Sequence, residues 1–356
     1  MATSDKKVKI LFNIPNWKKP YLGGVANHYF GLKEYWSYPF NYNIVGARGE
    51  QQGTGKYLIL YDVIKFIYKL IIFNPNIVVI NPSLAPNALK RDAIFLKLAK
   101  LFRKKVIMCF HGFNPNYSIK IDSNSFVRQY NCADAFLVLS SNIKSTLISW
   151  GICKPILLYS TKVENSLIDN YDIGERYRRT IKTITYLARV TKEKGIYIAL
   201  GTFKLLLDKY PRLKFRIVGN GDDFNQAKQY AKDINIYNIV FTGALSGENL
   251  INEFKNADLY LFTSYHEGMP TSVLEAMAFG LPIVTRPVGG LVDFFTSDMG
   301  RMIDSFKAQD FVVAIEEYIN NIDLYNATSI YNHVYAKNNF LASSVAEKIE
   351  NSIINV

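Results

Sequence analysis

Cysteine is scarce in this chain: Cys109, Cys132 and Cys153 are the only three in 356 residues. Their spacing suits neither a metal cage nor a disulfide framework, and the odd count leaves one unpaired, so reduced, buried thiols of a cytosolic protein are expected. Histidine occurs four times and no Asp-x-Asp pair is present. No group of His, Asp or Glu is therefore spaced for a metal ion. Long apolar runs are missing too. The nearest, Tyr57 to Ile80, is broken by Asp62, Lys65, Lys69 and Asn74-Pro75, which excludes a membrane span there. The run Val8 to Ile14 is short and ends at Pro15, unlike a signal peptide. Low-complexity segments and solenoid repeats are absent, and 49% hydrophobic with 20% charged residues is ordinary for a folded soluble protein.

Acidic residues are scarce in the first half only. Residues 1–165 hold 22 Lys or Arg against 8 Asp or Glu, a balance of +14, while residues 166–356 balance at −2. No nucleic-acid recognition motif accompanies the basic half, so an anionic membrane surface or a phosphate-bearing acceptor is favoured as its partner. The alternative is a compositional bias toward Lys, Asn, Ile and Tyr that charges a surface without purpose. Within this half Lys90, Lys97 and Lys104 recur every seven residues beside Ile94, Leu98 and Leu101, opposite a stripe of Phe95, Ala99 and Phe102. That pattern suits a basic surface helix.

The length favours two domains. Short apolar runs alternate with helical patterns, the mark of a parallel α/β sheet. Strands are predicted at Lys7 to Ile14, Ile77 to Asn81, Lys105 to Phe110 and Ala135 to Ser140, with helices near 25–34, 57–72, 87–102, 123–131 and 142–150. Ser160 to Arg179 is polar and weakly periodic, and reads as a linker. A second series follows, with strands at Thr183 to Ala188, Lys214 to Val218, Asn238 to Thr242, Leu259 to Phe262 and Ile283 to Thr285 and helices near 195–209, 224–233, 247–256, 270–279 and 290–295. Residues 310–356 are helical in pattern. Ligands of open α/β sheets bind beyond the carboxyl ends of strands. Gly23, His111, Ser140, Arg189, Gly219, Glu267 and Gly289 all fall there.

The most informative segment runs from Tyr265 to Pro282. Glu267 lies in a Gly/Pro loop, Pro270 suits the first turn of a helix, and Glu275 falls one to two turns inside a helix that ends at Gly280-Leu281-Pro282. Both carboxylates can face one pocket, and the helix start at Thr271 and Ser272 suits an anion. Glu267-Gly268-Met269-Pro270 with Glu275-Ala276-Met277-Ala278 and Gly280-Leu281-Pro282 resembles the E-x7-E signature of the family 4 retaining glycosyltransferases. The resemblance implies the GT-B fold: two Rossmann-like domains facing across a cleft, residues 1–165 binding acceptor and 166–335 binding the nucleotide sugar, with a helix at 336–356 crossing back to the first domain. It implies Glu267 as a contact of the donor sugar and Glu275 as the partner of the ribose hydroxyls, with Gly268, Met269, Pro270 and Thr271 along the donor.

Arg189-Val190-Thr191-Lys192-Glu193-Lys194-Gly195 is similar to the family's R-x4-K-G, whose cations bind the diphosphate. Fixed cations in a dry cleft stabilise charge as a phosphate leaves, which assigns that task to Arg189 and Lys194. Gly23-Gly24 resembles the family's N-terminal glycine loop, where positive φ and close phosphate approach would be permitted; a simple turn explains the pair equally. His111-Gly112 matches the His-Gly position at the donor sugar or reacting centre. Gly219-Asn220-Gly221-Asp222 resembles the G-x-G turn beside the nucleotide, with Gly243-Ala244-Leu245 near the base. Gly289-Gly290 resembles a glycine pair close to the donor. Arg286 departs from the small residue expected there, and either reads a donor substituent or forms a surface salt bridge. His266 is a pocket wall; His28 and His333 carry no assignment.

The resemblance implies a retaining, metal-independent hexosyl- or N-acetylhexosaminyl-transferase without cofactor. Its donor would be a nucleoside-diphosphate sugar, UDP favoured over GDP, and its acceptor a glycan or polyprenyl-diphosphate-linked glycan in bacterial polysaccharide, capsule or O-antigen assembly. No nucleic acid is involved, and the expected location is the cytoplasm, peripheral on the inner face of the cell membrane. A nucleotide-sugar epimerase of the same fold and a nucleotide-sugar-binding module without catalysis are the alternatives.

Overall fold

The computed structural model describes residues 8–16, 23–46, 55–112, 118–177 and 179–356. Lys7, at the start of the first predicted strand, and Arg178, inside the predicted linker, lie outside the described residues. The chain divides into two units, Met1–Lys162 with Ala342–Val356, and Val163–Leu341.

The first unit is built on β1 (Ile10–Pro15), α1 (Gly24–Leu32), β2 (Phe40–Val45), α2 (Gly55–Ile72), β3 (Ile77–Ile80), α3 (Pro86–Leu101), β4 (Lys105–Phe110), α4 (Ser123–Tyr130), β5 (Ala135–Val138), α5 (Ser141–Trp150) and β6 (Ile156–Leu158). The strands form a sheet of order β2-β1-β3-β4-β5-β6, parallel throughout. β3 and β5 are buried along their whole length, as expected of central parallel strands with both faces covered. Strand order reverses between β1 and β3, so the loops after β1, β3 and β4 border a topological switch point.

The second unit repeats the plan with β7 (Thr183–Leu187), α6 (Ile196–Lys209), β8 (Lys214–Val218), α7 (Phe224–Asp233), β9 (Ile239–Gly243), α8 (Glu248–Asn256), β10 (Leu259–Phe262), α9 (Thr271–Ala278), β11 (Ile283–Thr285), β12 (Gly300–Met302), α10 (Ala308–Asn320) and α11 (Ile322–Asn339). Its sheet order, β12-β11-β10-β7-β8-β9, again all parallel, is that of a dinucleotide-binding domain, with the switch point between β7 and β10. The last helix, α12 (Ala342–Ile354), belongs to the first unit. Its Glu350 accepts hydrogen bonds from the backbone N–H groups of Ser37 and Tyr38 at 2.8 and 3.0 Å, and Lys105 Nζ donates to Ile354 O.

The boundary between the units, between Lys162 and Val163, falls within the predicted linker, where Arg176 is buried and its guanidinium donates to the carbonyls of Phe254, Ala257 and Phe279. One sequence reading changes here. Cys132 and Cys153 are exposed, and only Cys109 is a buried thiol, pushed up to about 12 by burial. No helix of the described residues is long and apolar enough to cross a membrane.

Candidate active site

The loops after β7, β8 and β10 meet at the switch point of the second unit and enclose a cavity of about 410 Å³. Arg189, Lys194, Gly219, Leu245, Glu267, Met269, Pro270 and Thr271 all line it. Gly221, Gly268 and Glu275 stand beside it without lining it.

Glycine makes this convergence possible. Gly195 has φ +74°, and a Cβ there would lie 1.9 Å from Thr263 O. The contact lets the loop after β7 lie directly on the end of β10. Thr263 Oγ1 then donates to Gly195 O at 2.7 Å, Tyr265 N to Glu193 O at 2.9 Å and Tyr186 Oη to Lys194 O at 2.8 Å. The result is an ion pair in the cavity, with Lys194 Nζ 2.6 Å from Glu267 Oε1 and both side chains largely shielded. Gly219, at φ +133°, repeats the device: a Cβ would meet Ala188 O at 1.9 Å. Asp223 holds the same loop by accepting from Lys192 N at 2.6 Å.

α9 carries the second carboxylate. It starts after Pro270, placing Thr271 and Ser272 in its first turn, at the positive end of its dipole. It ends in a Schellman motif at Gly280, φ +70°, with Gly280 N bonded to Met277 O and Leu281 N to Ala276 O. Its final carbonyls are pinned by Tyr171 Oη and Arg176 Nε on Phe279 O and by His333 Nδ1–H on Ala278 O. Glu275 is thereby held on a rigid helix. The buried Tyr260 hydroxyl, donating to Leu187 O at 2.9 Å, is pushed upward first by burial and further by both Glu275 and Glu267.

Arg286 and the Gly289-Gly290 pair both pack against the segment that carries Glu267. Arg286 is buried, its guanidinium 3.8 Å from the Phe306 ring centroid and 5.6 Å from that of Tyr265. It donates to Ser305 O and Ser264 O, a clamp on the loop leading to Glu267. Its salt bridge to exposed Asp304, at 3.8 Å, is secondary. Gly289 lies against the backbone of the Glu267 loop, where a Cβ would meet Gly268 O at 2.3 Å, and Gly290 N donates to Gly268 O.

In the first unit, Gly23 and Gly24 open α1 at the surface. Gly23 has φ −81°, neither glycine has positive φ, and a Cβ on either would meet nothing. The positive φ that the resemblance would permit there is not used. His111, just past β4, joins a polar cluster. Asn81 Nδ2 donates to Asn13 O at 3.0 Å, so its Oδ1 accepts from Tyr29 Oη and from His111 Nε2–H at 2.9 and 2.8 Å. His111 Nδ1 is left to accept from Tyr159 Oη at 2.7 Å. The imidazole is neutral, and burial lowers its pKa to about 3. His28, assigned nothing from sequence, packs 5.3 Å from the His111 ring with both nitrogens buried and unbonded. The residues of this cluster missed from sequence, His28 and Tyr29 on α1, Asn81 after β3 and Tyr159 after β6, lie on three separate segments and carry no local motif. Among the described residues no three His, Cys, Asp or Glu are grouped to hold a metal ion.

Residues 174–333 match the family described as glycosyl transferases group 1. The chain is 26% identical over 246 residues to the lipopolysaccharide 1,6-galactosyltransferase of Escherichia coli, covering 64% of each protein. It is 22% identical over 233 residues to the capsular polysaccharide biosynthesis glycosyltransferase CapM of Staphylococcus aureus, covering 62% of this chain and 61% of CapM. In structure it resembles HepE of Anabaena, solved in complex with UDP and glucose, with a TM-score of 0.72 at 14% identity over 98% of this chain and all of that one. The shared fold is the two-sheet α/β plan of GT-B proteins.

Proposed function

We propose that this chain, whose residues 174–333 match the glycosyl transferases group 1, moves a hexosyl or N-acetylhexosaminyl group from a nucleoside-diphosphate sugar to a glycan or lipid-linked acceptor, with retention of configuration. The observation that carries the reading is the Lys194–Glu267 pair, 2.6 Å apart, in a cavity at the switch point and beside the first turn of α9. The site offers an anion two cations and a helix dipole, and offers a sugar a carboxylate.

In this reading Arg189, Lys194 and the start of α9 hold the donor diphosphate. Glu267 accepts from a sugar hydroxyl while keeping Lys194 oriented. Glu275 accepts from the ribose hydroxyls. The acceptor hydroxyl attacks the anomeric carbon on the face the diphosphate leaves. Its oxygen forms the new bond to carbon, the carbon to phosphate-oxygen bond breaks, and the acceptor proton passes to a β-phosphate oxygen. Charge developing on the diphosphate is met by fixed protein cations, so no metal is required. The HepE complex with UDP and glucose supports UDP over GDP.

The names of the two curated relatives support bacterial capsule or lipopolysaccharide assembly. The protein acts at the cytoplasmic face of the cell membrane, bound peripherally through its basic first half. Incubation with a panel of nucleotide sugars and lipid-linked acceptors in chelator tests the assignment, with the anomeric configuration of the product read by NMR. Free UDP with an α-linked product from an α-linked donor is expected. Isomerised donor without transfer would instead make the protein an epimerase, and binding alone would make it a sensor.

A further inference from the structure

The outward face of α2 is apolar and uncovered. Leu60, Tyr61, Ile64, Tyr68, Ile71 and Ile72 recur at helical spacing, opposite buried Asp62, Phe66 and Leu70, and each is 57–65% exposed. A folded chain rarely leaves so many large apolar side chains together in water without a partner. Lys65 and Lys69 do not dilute this face, because Lys65 Nζ donates to Ile44 O and Lys69 Nζ to Asn41 Oδ1 and Tyr42 O, toward β2.

α3 packs beside α2, with the rings of Phe66 and Phe95 4.9 Å apart. Its exposed stripe comprises Lys90, Ile94, Lys97 and Leu101. The carboxylates of the two helices, Asp62 and Asp92, are both buried. The outer faces therefore join apolar residues to lysines with no exposed acid among their described residues. That combination fits a helix lying in a membrane interface, where rings and aliphatic chains enter the acyl boundary and ammonium groups meet phosphates.

We propose that the outer face of α2 inserts into the headgroup–acyl boundary of a bilayer containing anionic phospholipid, with Lys90 and Lys97 of α3 on the lipid phosphates. The proposal rests on the peripheral association inferred above and identifies the surface that makes it. Apolar burial supplies the hold and α3 the preference for anionic lipid.

Co-sedimentation of the full-length protein with vesicles of phosphatidylcholine, with and without phosphatidylglycerol, tests it. The protein should pellet with the mixed vesicles and more weakly with phosphatidylcholine alone. Combining Leu60→Ser, Ile64→Ser, Tyr68→Ser and Ile71→Ser should lower the partition about tenfold or more, with UDP affinity and thermal unfolding unchanged. Lys90→Glu with Lys97→Glu should remove the preference for phosphatidylglycerol. In a single variant, Tyr68→Trp, emission should shift to the blue when mixed vesicles are added.

Undiminished pelleting of the serine variant would overturn the assignment of this face while leaving peripheral association standing. Failure of the parent to pellet would overturn both, leaving UDP binding as a separate matter. A dimer that forms without lipid and dissociates in the serine variant would assign the face to a second copy of the chain, against the proposal.

Discussion

Glu267 and Glu275 differ in what already surrounds them, and so in what their loss should do. Glu267 is ion-paired with Lys194 in a loop, whereas Glu275 is fixed on α9, whose far end is pinned by Tyr171, Arg176 and His333. Glu275→Gln should weaken nucleotide binding by roughly 1.5–3 kcal/mol through loss of a charged acceptor, measured by calorimetry with UDP alone. Glu267→Gln should lower turnover more than nucleotide affinity, since it also frees Lys194. An unchanged UDP affinity in the Glu275 variant would remove it from the ribose site. His28 invites the opposite kind of substitution. Its two ring nitrogens are buried without partners, so His28→Phe removes a desolvated polar group, which is nearly neutral or stabilising at pH 7.

Among the elements, the loops that end β7 and β10 depend on one residue. Gly195→Ala combines a left-handed φ with a Cβ 1.9 Å from Thr263 O, so the loops must part. A loss of about 2 kcal/mol or more in the stability of the second unit is expected, seen in thermal unfolding, together with a fall in turnover as Lys194 leaves Glu267. Retained stability and activity would show that the close approach is dispensable. The α9 segment was legible in sequence because its signals are local: Glu267 in the loop before it, Pro270 at its start, Glu275 within it and Gly280-Leu281-Pro282 at its end. Three strands were not. β2, β6 and β12 all stand at sheet edges, where half-exposed strands such as Phe40–Val45, with Asn41 and Asn43, show no continuous apolar run. The helix expected near 290–295 is a tight 3-10 turn at Gly289–Asp293. Of the two readings of Arg286 the structure shows the salt bridge, to Asp304, while its bonds to the carbonyls of Ser264 and Ser305 are ones no spacing reveals.

At the scale of the whole molecule, the first unit should be the acid-sensitive one. His111 and His28 are both held neutral by burial, His111 down to about 3, while an unfolded histidine titrates near 6.5. Below that pH the unfolded chain binds more protons than the native one, so stability is fully present above about 6.5 and falls with acid, by up to about 1.4 kcal/mol per pH unit for each histidine. Asp92, raised by burial to about 6, acts in the opposite direction over part of that range. The contribution of His28 is therefore read by difference: thermal unfolding of the parent should drop between pH 7 and 5, and His28→Phe should shrink the drop. An equal drop in both would mean that His28 is not held neutral. The charge contrast between halves and the two-sheet plan were legible from composition and alternation. The polar cluster around His111 was not, because it forms only when β1, α1, β3, β4 and the residue after β6 come together.

The account's central claim is that protein cations at the switch point of the second unit, without a metal, hold a nucleoside diphosphate. Calorimetric titration of UDP into the full-length protein in chelator, repeated with Arg189→Ala and Lys194→Ala, tests it directly. The account predicts binding in chelator and a loss of about tenfold or more in affinity in each variant. Binding that appears only when a divalent ion is added, or that is equal in all three proteins, would contradict it.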